Sequence, residues 1–271
     1  MTESELEALA LKRTDNNIER FVLGKLLVEG SSDKVPYNEV KGLNMIKEAV
    51  KSGCMPALEY KTYWDIRFEQ RPNLVKIKES LEKIVDSNKS CKALNILAEL
   101  AHAQANAALA NQDAAVKEEG EKLATEAAKY YQMSADQDDV VATHFIGVFY
   151  HQGFGVTKNV AKAVEYLKKS AALGHCHSMY QLYLIHSGKP GEDEKMTDVV
   201  TAYNHLMKSL QYGVTNYDEA IAYFKQHYNE LAPVFVRTKK LPLEVNKDTQ
   251  VDILNMHDAV INEIKNDFSA A

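Results

Sequence analysis

The sequence predicts an all-α fold, a stack of about five helical hairpins closed by a C-terminal capping helix. Apolar residues recur with a period close to 3.6 along most of the chain, and strict alternation over five or more residues is almost absent. Six prolines and twelve glycines lie at intervals between these periodic segments. Small residues recur at Ala57, Ala93, Ala142 and Ser178, at spacings of 36, 49 and 36 residues, which indicates an internal repeat.

The first two predicted helices have recognisable starts and stops. Asn16 followed by Glu19 resembles a capping box, and the apolar stripe that follows it ends near Gly30. The second helix is predicted over residues 38–52, because Gly53 suits the left-handed position that often follows a helix end. These two helices form the first predicted hairpin.

The rest of the chain continues as helix, turn, helix. Pro56 suits the first turn of the third helix. Two alanine-rich segments predict a long hairpin with its turn around residues 111–113. Residues 233–246, which begin with a proline, are predicted to form a loop. The later helices are predicted from residue 57, from residue 72, and over 92–110, 114–135, 142–151, 159–173, 178–186, 196–212, 217–229 and 248–268.

Small residues at fixed places in the repeat have a packing reason. Helices pack with their axes about 8–10 Å apart, and alanine or glycine at the crossing point permits the near end of that range. A bulky residue there would require strain or a shifted helix. The segment Lys162 to Gly174 recurs 39 residues later, from Thr201 to Gly213. The same close packing is therefore predicted for consecutive hairpins.

Residues 142–174 carry a longer motif, ATHFIGVFYHQGFGVTKNVAKAVEYLKKSAALG. It resembles one nearly complete Sel1-like repeat, whose pattern is A-x-x-x-L-G-x-x-Y-x-x-G-x-G-V, a polar turn, and then K-A-x-x-Y-x-K-x-A-A-x-x-G. The matching residues are Ala142, Ile146, Gly147, Tyr150, Gly153, Gly155, Val156, Lys162, Ala163, Tyr166, Ala171, Ala172 and Gly174. Weaker matches cover most of residues 19–216, with Thr62 and Tyr183 where the pattern has glycine.

The resemblance implies a right-handed α-α superhelix, or solenoid, that is similar to tetratricopeptide arrays and binds peptides or protein surfaces on its concave face. Proteins of this family commonly act as adaptors, assembly factors or subunits of larger complexes. The domains expected on this basis are an N-terminal helix or cap over 1–18, repeats over 19–56, 57–92, 93–141, 142–177 and 178–216, and a C-terminal helical cap over 217–271.

The composition of the chain favours some classes of partner and some cellular compartments over others. The net charge of -6 argues against a nucleic-acid partner, since phosphate binding needs a basic face. Three cysteines, far apart and in no CxxC pair, favour a reducing compartment without disulfides. The N-terminal residues lack the apolar core of a secretory signal, and no apolar run is long enough to span a membrane. The expected location is therefore intracellular and soluble, with the cytoplasm first.

Three short motifs resemble catalytic or ligand-binding signatures, but each has a structural explanation. Residues 153–155 read Gly-Phe-Gly but follow a helix, which indicates the repeat's own turn and not a phosphate loop. Residues 175–177 read His-Cys-His, yet neighbouring loop residues rarely form a tetrahedral metal set. Residues 80–83 match S-x-x-K without its companion motifs. We therefore predict no catalytic residue, no metal site and no cofactor.

The candidate partner-binding residues are aromatic and histidine side chains on helices that the resemblance places on the concave side. They are Tyr60, Trp64, His144, Phe145, Phe149 and Tyr180. Trp64 is the single tryptophan and forms a local cluster with Tyr60, Tyr63 and Phe68. Such a cluster is consistent with a core role and also with a binding hot spot, where aromatic anchors are enriched.

The function that these observations favour is a non-catalytic scaffold or adaptor that holds a protein partner. The alternative is a structural or assembly subunit of a large complex, which would need a larger and more apolar interface. A more distant alternative is a hydrolytic enzyme that uses His144, His151, His175, His177 and Tyr150. No sequence pattern orders those residues into nucleophile, base and orienting group. A nucleic-acid-binding repeat protein is equally distant.

Overall fold

The computed structural model of the protein describes residues 17–30, 37–187, 197–239 and 250–269. These residues form thirteen α-helices and no β-strand. The helices are α1 (Asn17–Glu29), α2 (Glu39–Lys51), α3 (Met55–Phe68), α4 (Leu74–Asn88), α5 (Cys91–Leu109), α6 (Ala114–Ala135), α7 (Val140–Gln152), α8 (Val160–Ala172), α9 (Cys176–His186), α10 (Val199–Gln211), α11 (Tyr217–Gln226), α12 (Tyr228–Thr238) and α13 (Gln250–Ser269). The predicted all-α fold is confirmed. The predicted capping box begins at Asn16, outside the described residues.

Polar side chains fix where many of these helices begin. The residue before a helix accepts a hydrogen bond from a backbone N–H of the first turn, which would otherwise lack a partner. Asp139 does so for the N–H of Ala142 and Asn159 for that of Lys162. The same cap is formed by Asn38, Asn73, Asp113 and Asp198.

Two predictions near the C-terminus are wrong. Residues 217–229 are not one helix, because α11 ends at Gln226 and α12 begins at Tyr228. Pro233 does not begin a loop but lies inside α12. That helix buries an apolar face formed by Leu231, Ala232, Phe235 and Val236. Burial of this face outweighs the backbone hydrogen bond that a proline cannot donate. The rest of the predicted loop, from residue 240, lies outside the described residues.

The chain divides into two compact units, Met1–Leu100 and Ala101–Ala271. In the first unit α1 packs closely on α2 through two glycines. A Cβ atom on Gly42 would lie 2.6 Å from the carbonyl oxygen of Gly24, so this crossing tolerates no side chain. The remaining core of the hairpin is formed by Leu23, Leu27, Ile46, Ala49, Cys54 and Ala57.

In the second unit each helix from α6 to α10 packs against the next one along the chain. The C-terminal helices enclose an aromatic core, and α13 packs on α11 and α12. This core contains Tyr183, Tyr203, Phe224, Phe235, Ile253 and Ile261 among its buried residues. The amphipathic character that the sequence shows in α13 therefore has a packing partner.

The recurring small residues lie where close packing was predicted. Ala57, Ala93, Ala142 and Ser178 are each 0 % exposed. Thr62 occupies a position where the repeat pattern has glycine and is also buried. Its hydroxyl donates to the carbonyl oxygen of Leu58, 2.8 Å away in the same helix, so the extra polar atom is satisfied without a neighbouring helix.

The long hairpin of α5 and α6 is confirmed, and α6 has the predicted bounds. Gly120 permits its close packing, since a Cβ atom there would lie 3.0 Å from Leu109. Residues 110–115 at the tip are exposed. Two local hydrogen bonds shape the turn: Asp113 N–H donates to Asn111 Oδ1, and Ala115 N–H donates to Asp113 Oδ1.

Cys54, Cys91 and Cys176 are all free thiols. None of the helices in the described part of the chain is both long enough and apolar enough to cross a membrane.

Replacing Glu219 with alanine is expected to lower the free energy of unfolding by about 2 kcal/mol. The Glu219 carboxylate accepts hydrogen bonds from the hydroxyls of Tyr180, at 2.7 Å, and Tyr183, at 3.0 Å. The Tyr183 side chain is fully buried, so losing this acceptor leaves its hydroxyl with a desolvation cost. Urea denaturation of E219A, Y183F and the double variant measures the coupling. Strictly additive losses in the double variant would contradict it.

Candidate functional site

An open groove of about 760 Å³ lies on the first unit. The end of α1, the residues that precede and begin α2, one face of α3 and the start of α5 form its walls. It is lined by Val28, Glu29, Tyr37, Glu39, Tyr60, Tyr63, Trp64, Arg67, Phe68 and Lys92. Five of these side chains are aromatic and four are charged, a composition typical of a binding surface for another protein.

The aromatic side of the groove comes from a single helix. Residues 60, 63, 64, 67 and 68 of α3 follow the spacing that places side chains on one helix face. Pro56 lies in the first turn of α3 and sets its start. Ala57 and Thr62 are the buried residues of this helix and hold it in the unit.

Cations lie over the aromatic rings of this helix. Lys92 Nζ is 3.7 Å from the centre of the Tyr63 ring, and the Arg67 guanidinium is 5.4 Å from the Phe68 ring. Lys61 Nζ lies 5.6 Å from the Trp64 ring and also forms an ion pair with Asp65. These contacts bring positive charge close to an apolar surface.

Burial and a neighbouring carboxylate change the acidity of Tyr60. Partial burial, together with the charge of Glu29 and a hydrogen bond to it, raises the pKa of Tyr60 to about 12. The hydroxyl therefore stays protonated at neutral pH and acts as a hydrogen-bond donor. Burial also raises the pKa of Tyr63. Both tyrosines thus offer neutral, amphipathic rings to the groove.

The structure brings together two of the six predicted partner-binding residues. Tyr60 and Trp64 both line the groove on α3. The other four lie in the second unit, where they make packing contacts. Phe149 is only 1 % exposed and packs edge to face on Tyr131, with ring centres 5.5 Å apart. Phe145 stacks on the same tyrosine at 4.8 Å.

His144 and Tyr180 also serve the packing of the second unit. Tyr180 is half-buried and donates its hydroxyl hydrogen bond to Glu219. The His144 ring is buried, and its Nδ1 lies 2.9 Å from Ser178 Oγ. Ser178 donates to Ser170 Oγ, which in turn donates to the Val140 carbonyl oxygen, each at 2.9 Å. This chain of polar groups connects α7, α8 and α9.

The electrostatics of His144 agree with a structural role. Burial, together with positive charge on His175 and His177, lowers the pKa of His144 to about 3. The ring is therefore neutral at physiological pH. Ser178 has no exposed surface, so a substrate cannot reach it. Among the described residues, no group of three or more His, Cys, Asp or Glu side chains is placed to hold a metal ion.

Sequence reasoning missed half of the groove. Tyr37, Glu39 and Lys92 lie outside α3 and reach it only through tertiary packing. No local pattern marks them, since their distance along the chain from Trp64 is unrelated to any helical period. Arg67 was detectable, because its spacing from Tyr60 and Trp64 places it on the same face of the helix.

The fold and the groove define a class of protein: an all-α chain of packed helical hairpins that exposes an aromatic surface on one unit. Within that class, residues 101–139 and 140–175 each match the Sel1 repeat family model. Two segments of the chain are therefore similar to Sel1 repeats: residues 140–175 cover the motif at 142–174, and residues 101–139 lie within the repeat predicted over 93–141. Sel1 repeats generally serve as protein-interaction scaffolds.

Solved structures with the same fold support this classification. The chain is similar to c5321, a protective antigen of uropathogenic Escherichia coli strains that displays an SLR fold. The TM-score is 0.52 at 17% identity, over 93% of this chain and 46% of that one. It is also similar to a Sel1 repeat protein from Oxalobacter formigenes, with a TM-score of 0.52, 21% identity, and coverage of 89% of this chain and 85% of the other. At these identities the likeness establishes the fold alone.

One curated relative matches over a short segment. Chitin synthase regulatory factor 2 of Schizosaccharomyces pombe is 34% identical to this chain over 61 residues. The matched segment covers 22% of this chain and 12% of the relative.

Proposed function

We propose that the protein is a non-catalytic scaffold or adaptor that holds a protein partner in the groove of its first unit. One observation supports this proposal above all others. Four aromatic rings on one face of α3, from Tyr60 to Phe68, line an open groove. Phe68 is exposed and the other three are partly buried. A folded protein gains stability by burying such rings, so aromatic rings that stay accessible in a groove indicate a binding surface.

The distribution of exposed apolar side chains also favours a binding surface on the first unit. Among the described residues, eight of the twelve exposed large hydrophobic side chains lie in the first unit. They are Ile18, Val22, Tyr37, Val40, Ile66, Phe68, Leu74 and Val75. A protein partner that covers about 800 Å² would bury several of them together with the groove.

The scaffold role also agrees with what surrounds the other predicted contact residues. Phe145, Phe149, His144 and Tyr180 are occupied by packing within the second unit, so we assign them a supporting role and assign direct contact to Tyr60 and Trp64. The S. pombe relative is named as a regulatory factor, and regulation through binding needs no catalytic group in the repeat itself.

Membership of a larger assembly is the second candidate, and one observation favours it. Val40, Leu74 and Val75 are exposed and do not line the groove. Permanent complexes typically bury larger and more apolar surfaces than transient ones, and these three side chains are apolar surface outside the groove. Size-exclusion chromatography of native extract separates the two candidates, since a constitutive subunit elutes with its assembly and an adaptor distributes between free and bound fractions.

Replacing Trp64 with alanine is expected to reduce partner recovery at least about tenfold, because central aromatic anchors contribute most of the binding energy of an interface. The measurement is quantitative affinity purification of the tagged full-length chain from its native cells. Tyr212→Ala is the matched control, since Tyr212 is 56% exposed but lies in the second unit. Circular dichroism verifies that both variants are folded. Equal recovery by W64A and the wild type would contradict the proposal.

A further inference from the structure

We infer that the groove binds an acidic segment of its protein partner, in which carboxylates flank an aromatic or large aliphatic anchor side chain. This inference rests on the proposed function and adds the chemistry of the partner to it. Its basis is the difference between the cations and the anions that line the groove.

Within the described part of the chain, the cations of the groove have no acidic partner. Among the described residues, no carboxylate lies within ion-pair distance of Lys92 or of Arg67. Both charged groups lie instead over aromatic rings, those of Tyr63 and Phe68. Lys92 and Arg67 are both exposed, so a carboxylate of a partner can reach them and accept a charge-assisted hydrogen bond.

The anions of the groove, by contrast, are already satisfied. Glu39 accepts a hydrogen bond of 2.5 Å from the Tyr37 hydroxyl. Glu29 lies 3.9 Å from Lys25 Nζ, and a hydrogen bond with Tyr60 contributes to the raised pKa of that tyrosine. The lining contains two cations and two carboxylates, and only the cations lack an ion-pair or hydrogen-bond partner among the described residues. Complementarity of charge then selects an acidic partner segment.

The rings between the two cations determine what the acidic segment must also carry. Phe68 is 58% exposed, and its ring centre lies 5.4 Å from that of Trp64. These two rings form an apolar surface, which a purely acidic segment would leave exposed to water. An aromatic or large aliphatic side chain between the carboxylates covers that surface and gains the usual energy of apolar burial.

Trp64 makes this inference directly measurable. It is the single tryptophan of the chain and it lines the groove, so intrinsic fluorescence reports occupancy of this site. The probes are random linear peptides displayed on phage and selected against the immobilised full-length protein. The selected sequences are then synthesised and titrated against Trp64 emission. We expect enrichment of Asp and Glu around one aromatic or aliphatic residue, and binding that weakens as salt is raised.

Charge reversal provides the matched comparison. We expect Arg67→Glu with Lys92→Glu to weaken binding of the selected acidic peptide at least about tenfold. The control is Lys47→Glu with Lys83→Glu, which makes the same change of net charge at exposed lysines of the first unit that do not line the groove. This control is expected to change binding less than about twofold. The single variant Lys92→Gln, which introduces no negative charge, replaces the double variant if the latter does not fold.

The outcomes separate this inference from the proposed function. The inference of an acidic segment would be overturned if the selected peptides were basic or uncharged. It would also be overturned if the groove variants and the control variants weakened peptide binding equally. If partner recovery still depends on Trp64 in that case, the groove remains a protein-binding site of different chemistry. If partner recovery does not depend on Trp64, the proposed function itself is contradicted.

Discussion

Replacing Gly155 with alanine is expected to lower the free energy of unfolding by about 3 kcal/mol or more, the range of severe core substitutions. Gly155 lies in the turn between α7 and α8 with a φ of +64°, and a Cβ atom there would meet the carbonyl oxygen of Ala124 at 2.1 Å. That oxygen belongs to the backbone of α6, which cannot move aside as a flexible side chain would. The new methyl group therefore separates the turn from α6.

A second glycine isolates the contribution of this contact. Gly53 also has a positive φ, +82°, but a Cβ atom there would meet nothing within 4 Å. Gly53→Ala is therefore expected to cost only the left-handed backbone strain, about 1 kcal/mol. Thermal unfolding followed by circular dichroism compares the two variants. Equal shifts in Tm for G155A and G53A would contradict the proposed contact.

Acid is expected to destabilise the protein steeply below about pH 6.5. All nine histidines lie in the second unit. Burial lowers the pKa of His144 to about 3 and that of His257 to about 4. The unfolded chain binds protons on these side chains near pH 6.5, whereas the folded chain does not. Each of these histidines therefore lowers the free energy of unfolding by about 1.4 kcal/mol per pH unit as the pH falls from 6.5 toward its lowered pKa.

His205 contributes in the same direction, since burial and positive charge on His186, Lys208 and Lys168 lower its pKa to about 4. Its ring is partly exposed, so solvent screening makes its contribution smaller. Above about pH 7.5 all three rings are almost fully neutral in both states, and stability no longer depends on them. Urea denaturation at a series of pH values measures this slope.

His257 provides the sharpest variant for this pH dependence. Its ring has no exposed surface and stacks on Phe224 at 3.9 Å. The Asp258 carboxylate lies 3.6 Å from its Nδ1 and favours the protonated form, but burial outweighs it and lowers the pKa. His257→Phe keeps the stacking and removes the titration, so the slope between pH 6.5 and about 4 should fall by about 1.4 kcal/mol per pH unit. Met256→Leu, the adjacent control, should keep the wild-type slope. An unchanged slope in H257F would show that other groups cause the acid sensitivity.

Most of the fold was predictable because it depends on local sequence patterns. Helical periodicity, caps such as Asp113 and Asp139, and the recurring small residues each depend on neighbours within a few turns. The error at Pro233 has a tertiary origin. A proline rule describes an isolated helix, but α12 buries Leu231 and Phe235 in the core of the second unit, and that burial determined the outcome.

The candidate site was less predictable for the same reason. The aromatic residues of α3 could be recognised as a cluster, but the sequence does not distinguish a cluster in a core from one that faces a groove. That distinction depends on what lies opposite α3. The sequence also assigned Phe149 to partner binding, whereas Tyr131 and His102 pack against its ring. Contacts of this kind join residues from separate helices, and a single sequence does not contain them.

The tip of the long hairpin offers an engineering position. Residues 110–115 are exposed, and the turn is shaped by hydrogen bonds among its own residues. Foreign sequence inserted after Gln112 would therefore disturb no buried group, as insertions at exposed loop tips usually do not. An epitope or a fluorescent protein spliced there would label the chain internally, leaving both of its ends unmodified.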